Sequence, residues 1–326
     1  MESVYLVTGA LGCIGAWTLR HLLDQDKRAV VLDLGNVPTR PRLLLSEDEL
    51  ARLTFIRGDV GDLDTVERVV GDHGVTHIIH LAALQVPFCK ADPALGARVN
   101  VVGTVNILEA ARRSAGQVRG TVYASSIAVF GSPEDYPAGP LSDAAMLRPT
   151  TLYGVYKQAN EATARIYWQD WQAPSIGLRP AVIYGVARDQ GLTSSPTKAM
   201  LAAALGLPYH IPFGGVNCMQ WASDVARIFI QAADAQWQGA GVFNLGGTVA
   251  DMAQVVAGIE AAAPAIRGGL THDDSQLPFP YDFDDAALAA VIGPTRYTQL
   301  ADGIAATVER FRQLAKAGLV KASYVN

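Results

Sequence analysis

The chain has 326 residues, of which 50% are hydrophobic and 17% are charged, and its formal net charge is −5. This composition is typical of a folded globular protein and excludes a disordered chain. No run is rich in lysine and arginine, so neither nucleic acid nor an anionic membrane is an expected partner. The three cysteines are scattered and form no disulfide framework or metal-binding pattern. Because a strand begins at Val4 and no apolar run reaches the roughly 20 residues of a membrane helix, we expect no signal peptide and a cytoplasmic location.

Strand-like and helix-like segments alternate through the first half of the chain, which predicts a parallel sheet with helices on both faces. The predicted strands cover 4–7, 29–32, 53–57, 77–83, 121–124, 176–180 and 242–245. The predicted helices lie near 13–23, 66–70, 94–113, 153–171, 197–205, 224–233, 252–262 and 298–317. We therefore predict a doubly wound α/β fold, with a nucleotide-binding domain over 1–180 and a smaller substrate-binding lobe over 181–326. Some segments of that lobe are expected to return to the sheet, and 263–294 is interpreted as a loop-rich cap.

The first strand is followed by glycines spaced three apart, at Gly9, Gly12 and Gly15. Gly9 permits a tight turn, Gly12 lets the backbone approach a pyrophosphate, and Gly15 lets the helix pack close to the strand. Backbone N–H groups at the start of the helix, at Cys13 and Ile14, then face the phosphates. An ordinary glycine-rich turn is the alternative, but the position between strand and helix favours a dinucleotide site.

Two acidic residues follow later strands. Asp33 ends the second strand about 20 residues past the glycine turn, where a carboxylate can accept hydrogen bonds from both ribose hydroxyls. A 2′-phosphate would be repelled by this carboxylate, so Asp33 predicts NAD as the cofactor and not NADP. Asp59 follows the third strand and could contact the adenine amine, although a helix N-cap is an equally good interpretation.

The region after the fourth strand contains further candidates. Its small residues Ala82-Ala83 suit close approach by a ligand, and Gln85 is a candidate substrate contact because this strand end faces the nicotinamide side. Asn100 lies inside a predicted helix, where asparagine is unfavourable, which indicates a structural or functional partner. His77 and His80 are interpreted as core histidines, because no acidic or thiol partner is near them in sequence, and no metal site is predicted.

Ser126, Tyr153 and Lys157 form the candidate catalytic set. Tyr153 and Lys157 lie four residues apart on one predicted helix and share a face. A phenol with its pKa of about 10 is a poor base, but a nearby ammonium lowers that pKa. Ser126 can hydrogen-bond the substrate oxygen, and Lys157 can also reach the nicotinamide ribose. This set predicts hydride transfer from a carbon to nicotinamide with Tyr153 removing the hydroxyl proton, although each pattern alone is common by chance.

Together these motifs resemble the extended short-chain dehydrogenases/reductases of the NAD-dependent epimerase/dehydratase family. The matching residues are Thr8–Gly15, Asp33, Asp59-Val60, His80–Ala83, Asn100, Ser125-Ser126, Tyr153–Lys157 and Leu178–Pro180. The resemblance covers nearly the whole chain. It implies a Rossmann-type domain, NAD as cofactor, Ser126, Tyr153 and Lys157 as catalytic residues, and a homodimer built through a four-helix bundle that includes the Tyr153 helix.

The resemblance also assigns candidate binding residues. Cofactor contacts are expected from Gly9, Gly12, Cys13, Ile14, Gly15, Asp33, Asp59, Val60, Leu81, Ala82, Ala83, Asn100, Ser125, Tyr153, Lys157, Pro180 and Val182. Substrate contacts are expected from Gln85, Ser126 and Tyr153.

The chain departs from the family pattern where many relatives hold a nucleoside-diphosphate sugar. Those relatives place an asparagine where this chain has Val182, and an arginine before a segment ending in Asp-x-Ala, where the corresponding 217–226 has none. The loss of an amide and a cation weakens the case for a diphosphate substrate, unless Arg188, Lys198 or Arg267 compensates.

The leading hypothesis is therefore an NAD-dependent dehydrogenase that oxidises a hydroxyl of an unactivated sugar, sugar acid or polyol. Ser126 is followed by Ile127-Ala128 instead of the acidic pair that is usual in the family's dehydratases, which argues against dehydration. One alternative is a nucleotide-sugar 4-epimerase that uses the same catalytic set. Another is a catalytically silent NAD-binding regulatory protein, against which the intact Tyr153 and Lys157 argue.

Overall fold

The computed structural model describes residues 2–325. Its strands are β1 Val4–Thr8, β2 Arg28–Asp33, β3 Thr54–Arg57, β4 His77–His80, β5 Gly120–Ala124, β6 Ser175–Arg179, β7 Val182–Tyr184, β8 Tyr209–Ile211, β9 Val216–Trp221, β10 Ala240–Asn244, β11 Thr248–Asp251 and β12 Leu270–His272. Its α-helices are α1 Cys13–Asp24, α2 Glu47–Ala51, α3 Leu63–Asp72, α4 Val86–Ala91, α5 Pro93–Ala97, α6 Gly103–Arg113, α7 Leu152–Trp171, α8 Ser195–Ala204, α9 Ala222–Asp234, α10 Met252–Ala262, α11 Ala286–Ile292 and α12 Leu300–Lys316.

Seven parallel strands form the central sheet in the order β10-β6-β5-β4-β1-β2-β3. The chain builds outward from β1 to β3, then returns to place β4 on the other side of β1. Strand order therefore reverses between β1 and β4, and ligands of such sheets bind beside the carboxyl ends of the strands at this point. The predicted doubly wound, Rossmann-type α/β fold is confirmed.

Alternation along β1 explains why helices cover both faces of the sheet. Tyr5 and Val7 face a core that also contains residues of α1 and α9, whereas Val4 and Leu6 face a second core with residues of α3 and α6. All five β1 residues are buried because both faces are covered. This packing fixes β1, and with it the turn that follows, at the centre of the molecule.

The chain beyond residue 180 contributes to both parts of the fold. β10 pairs with β6 and extends the central sheet, and α9 packs against α1. The remaining strands form two small sheets, β11-β9-β7 and β12-β8. The segment predicted as a loop-rich cap, 263–294, also contains β12 and α11.

The main departure from the predicted elements is the long helix expected over 94–113. It is interrupted by one turn of π-helix, Arg98–Val102, which contains Asn100 and lies between α5 and α6. A π-helical turn inserts an extra residue into the helical repeat and is frequent at functional sites. Short strands such as β7 and β8, at three residues each, were not predicted because they are too short to show an alternating pattern.

Candidate active site

The glycine turn joins β1 to α1 through close backbone contacts. Gly9 has φ +65°, and a Cβ built on it would lie 2.6 Å from the backbone N of Ala82. A Cβ on Gly15 would lie 2.5 Å from Cα of Ala10, so the start of α1 packs directly on the turn. A Cβ built on Gly12 would meet only the carbonyl oxygen of Gly9, at 3.1 Å. Gly9 and Gly15 are therefore required by packing, and Gly12 leaves the backbone accessible.

The amino end of α1 offers backbone donors without a side-chain cap. Gly12 is the N-cap residue and supplies no side chain, and the helix begins at Cys13. The first N–H groups of a helix have no partner within it, and they lie at the positive end of the helix dipole. Burial raises the pKa of the Cys13 thiol to about 12, so this thiol stays protonated. Backbone N–H groups, and not the thiol, are what α1 presents to a phosphate.

Asp33 is held beside this turn. Its Oδ2 accepts a hydrogen bond from the backbone N–H of Leu11 at 3.1 Å, and its Oδ1 accepts one from Gly35 at 3.0 Å. Each carboxylate oxygen keeps a free lone pair after these bonds. The arrangement fits a ribose with two adjacent hydroxyls, because it orients the carboxylate without using all of its acceptor capacity.

Asp59 follows β3 and is not a helix N-cap. The N-cap of α3 is Asp62, whereas Asp59 accepts hydrogen bonds from the backbone of Gly61 at 2.8 Å and from Arg98 at 2.7 Å. The neighbouring Val60 is buried, and its carbonyl oxygen accepts from the side chain of Asn106. Asp59 therefore orders the loop after β3.

Asn100 holds the loop that follows β4. Its Oδ1 accepts from the backbone N–H of Leu84 at 2.7 Å, and its Nδ2 donates to the carbonyl oxygen of the same residue at 2.9 Å. This loop contains Leu81, Ala82 and Ala83, which are all partly exposed. The side chain of Asn100 is thus engaged by the backbone, and it acts as a positioning residue for the expected cofactor loop.

A chain of buried hydrogen bonds connects the glycine turn with this loop. The Thr8 hydroxyl lies 2.7 Å from Nδ1 of His80, and Nε2 of His80 lies 3.2 Å from Oγ1 of Thr104. The Thr104 hydroxyl donates to the carbonyl oxygen of Asn100, which also accepts from Nδ2 of Asn160. Because the Thr104 proton is used in this way, the hydrogen of His80 is on Nε2, and Nδ1 accepts from Thr8. His80 is therefore a neutral core histidine that links β1, β4, α6 and α7.

The three predicted catalytic side chains converge beside the carboxyl end of β5. The Tyr153 phenol is hydrogen-bonded to the Ser126 side chain. Nζ of Lys157 donates to the carbonyl oxygen of Ala124 at 2.6 Å and lies 5.5 Å from the centre of the Tyr153 ring. Thr151 caps the amino end of α7 through a bond from the backbone N–H of Gly154, which fixes the first helical turn that carries Tyr153.

Burial dominates the electrostatics of this set. It raises the pKa of Tyr153 above its ordinary value, and the hydrogen bond to Ser126 and the charge of Arg188 offset only part of that rise. Burial also lowers the pKa of Lys157 to about 8, although Cys89 and Glu161 oppose this change. The net direction for Tyr153 is opposite to the one expected from the tyrosine–lysine spacing, because desolvation of the phenol outweighs the hydrogen bond to Ser126 and the charge of Arg188.

A buried ion pair under the site was not predicted. Glu161 pairs with Arg179 through two bonds of 2.8 Å, and the Ser125 hydroxyl donates to the same carboxylate. The hydroxyl of Ser125 is thus engaged within the protein core. Glu161 lies four residues beyond Lys157 on α7, so the i,i+4 spacing placed both on one helix face. Arg179, at the end of β6, could not be assigned as its partner from that spacing.

The elements after β6 carry the departures from the family pattern. Pro180 is buried and its carbonyl oxygen accepts from the backbone of Ile127, while Val182 is buried in β7. Gln220 accepts from the backbone N–H of Ala181 and donates to the carbonyl oxygens of Leu245 and Gly246. Its side-chain amide therefore links the backbone at residue 181 to the backbone at 245–246. No described side chain at these positions offers a cation or a free amide to a diphosphate.

Within residues 2–325, no helix is both long enough and apolar enough to cross a membrane. The same residues hold no cluster of three or more His, Cys, Asp or Glu side chains suited to a metal ion. A cavity of about 390 Å³ lies at the amino ends of β5 and β6, lined in part by Arg112, Arg119 and Trp171. The catalytic set lies beside the carboxyl ends of the strands, so this cavity is at the opposite end of the sheet and is separate from the catalytic set.

Comparison with known proteins agrees with this fold and identifies the family. The model of the NAD dependent epimerase/dehydratase family matches residues 5–246. The chain belongs to this family, whose members are NAD-dependent enzymes of the extended short-chain dehydrogenase/reductase type.

Individual relatives include epimerases and dehydrogenases. A UDP-glucose 4-epimerase of Mycolicibacterium smegmatis is 31% identical over 94% of this chain and 98% of its own length. The structure of the Thermus thermophilus UDP-glucose 4-epimerase in complex with NAD is 26% identical, with a TM-score of 0.77 over 95% of this chain and 99% of that one. An L-threonine dehydrogenase from Cupriavidus necator has the same fold at 24% identity, with a TM-score of 0.80 over 94% of this chain and 98% of that one.

Proposed function

We propose that this protein is an NAD-dependent dehydrogenase that oxidises a hydroxyl group of an unactivated sugar, sugar acid or polyol. The observation that carries the proposal is the convergence of Ser126, Tyr153 and Lys157 in a site without the asparagine and the arginine with which many relatives hold a diphosphate. The position of the usual asparagine is the buried Val182, and the amide of Gln220 is consumed by backbone bonds. A substrate without a diphosphate loses nothing from these two changes.

In this mechanism Tyr153 takes the proton of the substrate hydroxyl while Ser126 holds the same oxygen by a hydrogen bond. A bound NAD would supply the hydride acceptor for the carbon that carries this hydroxyl. Asp33 would hold the adenosine ribose, and the amino end of α1 would hold the pyrophosphate. Lys157 lies close enough to the Tyr153 ring to stabilise a phenolate, and its own lowered pKa keeps it ready to exchange a proton near neutral pH.

The direct test is absorbance at 340 nm when the protein is mixed with excess NAD and a panel of free aldoses, aldonates and alditols. Tyr153→Phe is expected to lower kcat by about 10²-fold or more, because it removes the proton acceptor. Tyr156→Phe is the matched control. The Tyr156 hydroxyl donates to the carbonyl oxygen of Pro93 at 2.9 Å, away from Ser126, so this variant should keep its turnover. Full turnover by Tyr153→Phe would refute the mechanism.

A second candidate function is 4-epimerisation of a nucleoside-diphosphate hexose. The specific observation in its favour is the relative from Mycolicibacterium smegmatis, which matches 94% of this chain and is called a UDP-glucose 4-epimerase. An epimerase returns the hydride to its substrate, so it forms no net NADH. Conversion of UDP-glucose to UDP-galactose without a change at 340 nm, together with inactivity on every free substrate, would favour this function over the dehydrogenase.

We also propose that the enzyme is a cytoplasmic homodimer formed through α7. Three large apolar side chains on this helix, Leu152, Val155 and Ile166, are exposed by 42–44% of their surface. Leu95 on α5 and Val102 beside α6 are exposed to a similar extent. Apolar groups spread along adjacent helices are typical of a helix-bundle interface.

Light scattering tests the proposed dimer. It should give twice the chain mass, and Val155→Glu should halve that mass. The cytoplasmic location is proposed because the three unpaired cysteines suit a reducing compartment.

A further inference from the structure

Arg188 lies in the segment that follows β7 and covers the amino end of α1. Nε1 of Trp17 donates to the carbonyl oxygen of Val186 at 3.0 Å and ties this segment to α1. Nη2 of Arg188 donates to the Thr193 hydroxyl at 2.8 Å, whereas its Nε is buried and has no hydrogen-bond partner among residues 2–325. The adjacent Asp189 pairs with Arg40 instead. No described carboxylate neutralises the Arg188 guanidinium.

This guanidinium is near two groups of the predicted site. Its charge lowers the pKa of both Tyr153 and Cys13, so it lies near the catalytic tyrosine and near the start of α1. The Arg188 side chain also lies near the Gln85 side chain. A Cβ built on Gly191, which has φ +82°, would lie 2.6 Å from Oε1 of Gln85 and 3.9 Å from Nη2 of Arg188. Arg188 and Gln85 therefore both lie beside Gly191 as neighbours. Gln85 is the predicted substrate contact beyond β4.

A buried guanidinium N–H without an acceptor is unfavourable in the free protein, and a ligand that supplies one relieves this cost. The planar guanidinium matches a carboxylate in a two-bond geometry, and such charge-assisted pairs are about twice as strong as neutral ones. A pyrophosphate is the other anion within reach, but the backbone donors of α1 already serve it. Proximity to Tyr153 and Gln85 favours the substrate side.

We propose that Arg188 binds a carboxylate group of the substrate, which makes the preferred substrates hydroxy acids. The inference rests on the dehydrogenase function proposed above and selects one of its three substrate classes. It assigns Arg188 as a specificity-determining residue, with Thr193 orienting the guanidinium and Gln85 lying beside it. The carboxylate would then hold the substrate so that a hydroxyl along its chain reaches Tyr153.

The test compares aldonates with the alditols of equal chain length, such as threonate with threitol and gluconate with sorbitol. Binding to the wild-type protein saturated with NADH is measured by calorimetry, and oxidation is followed at 340 nm with NAD. Arg188→Gln should weaken aldonate binding by about 10²-fold and raise KM for aldonates with a smaller change in kcat. Binding of alditols and of NADH should change by less than about threefold. Arg188→Lys should recover part of the lost aldonate affinity, because it restores the charge but not the two-bond geometry of the guanidinium.

Arg28→Gln is the matched control, since Arg28 is exposed at the amino end of β2, on the opposite edge of the sheet. It removes the same charge and should leave aldonate binding unchanged. If Arg188→Gln does not fold, Arg188→Lys carries the comparison alone.

Three results would overturn the inference: equal binding of aldonates and alditols by the wild type, undiminished aldonate binding by Arg188→Gln and Arg188→Lys, or a loss confined to NADH and ADP-ribose. The last result would assign Arg188 to the pyrophosphate. Failure of the proposed dehydrogenase function looks different. In that case no probe yields NADH, while aldonates still bind the wild type and depend on Arg188.

Discussion

Replacement of His80 by glutamine is expected to reduce the loss of stability at acidic pH. Burial lowers the pKa of His80 from its ordinary value of 6.5 to about 3. In the folded protein His80 stays neutral between these values, whereas in the unfolded chain it binds a proton below pH 6.5. Since the unfolded state then holds more protons, the free energy of unfolding falls as pH falls. The stabilisation is complete above pH 6.5 and is lost toward pH 3.

The size of the effect follows from the pKa difference. Each pKa unit corresponds to about 1.4 kcal/mol, so protonation of His80 in the unfolded chain removes about 2 kcal/mol between pH 6.5 and pH 5. His80→Gln cannot take up this proton. It also loses at least one of the hydrogen bonds to Thr8 and Thr104, which costs about 1–2 kcal/mol at pH 8. The variant should therefore be less stable than the wild type at pH 8 and nearly equal to it at pH 5.

Urea unfolding followed by tryptophan fluorescence at pH 8, 7, 6 and 5 measures this difference. Burial also lowers the pKa of His21 and His77, but both residues are present in wild type and variant, so their contributions cancel. His210→Gln removes an imidazole whose side chain is 52% exposed and serves as the control for a surface histidine. Parallel stability curves for the wild type and His80→Gln would refute the reasoning, because they would show that His80 takes up no proton on unfolding.

Three further substitutions, one of them paired with a control substitution, test other parts of the site. Asp33→Ala should weaken NAD binding by about 10–100-fold and relax discrimination against NADP, measured as the ratio of kcat/KM values; an unchanged ratio would remove Asp33 from the ribose site. Gly15→Ala should lower NAD affinity and Tm, because the new Cβ would lie 2.5 Å from backbone of the glycine turn, whereas Gly71→Ala meets open space on α3 and should add about 0.5–1 kcal/mol. Equal effects of these two variants would contradict the packing argument. Glu161→Ala should cost about 3–5 kcal/mol in urea unfolding, because it leaves the buried Arg179 without its partner; a cost below about 1 kcal/mol would show that the pair is dispensable.

The first βα unit shows which structural features can be predicted from residues that are close in sequence. Apolar β1 residues, the glycine spacing and the apolar face of α1 are all contained within residues 4–24, and the structure confirms each element. The capping box at Ser46, with Glu49 bonded back to it, is a feature of the same kind, because both partners lie within one helical turn. Such features are predictable since their contacts join residues close in sequence.

Asn100 shows where prediction stops. Its polar character inside an apolar helix indicated a partner, but the pattern did not identify Leu84, which it holds from 16 residues away. The break into a π-helical turn was also not predicted, since the residues around Asn100 contain neither proline nor a capping motif. A helical pattern shows which face is buried, and it does not show what that face meets.

By itself the sequence determined the order of strands and helices, the glycine turn and the spacing of Tyr153 and Lys157, because these depend on the period of one element at a time. The tertiary structure alone decided which distant groups come together: Glu161 pairs with Arg179, and the side chains of Arg188 and Gln85 both lie beside Gly191. Of the cations that could have compensated for the missing clamp, Arg267 is exposed, whereas Arg188 is partly buried and its Nε is fully buried. The reason is physical. The charge of an arginine is fixed by the sequence, but the group it faces depends on how separate elements pack.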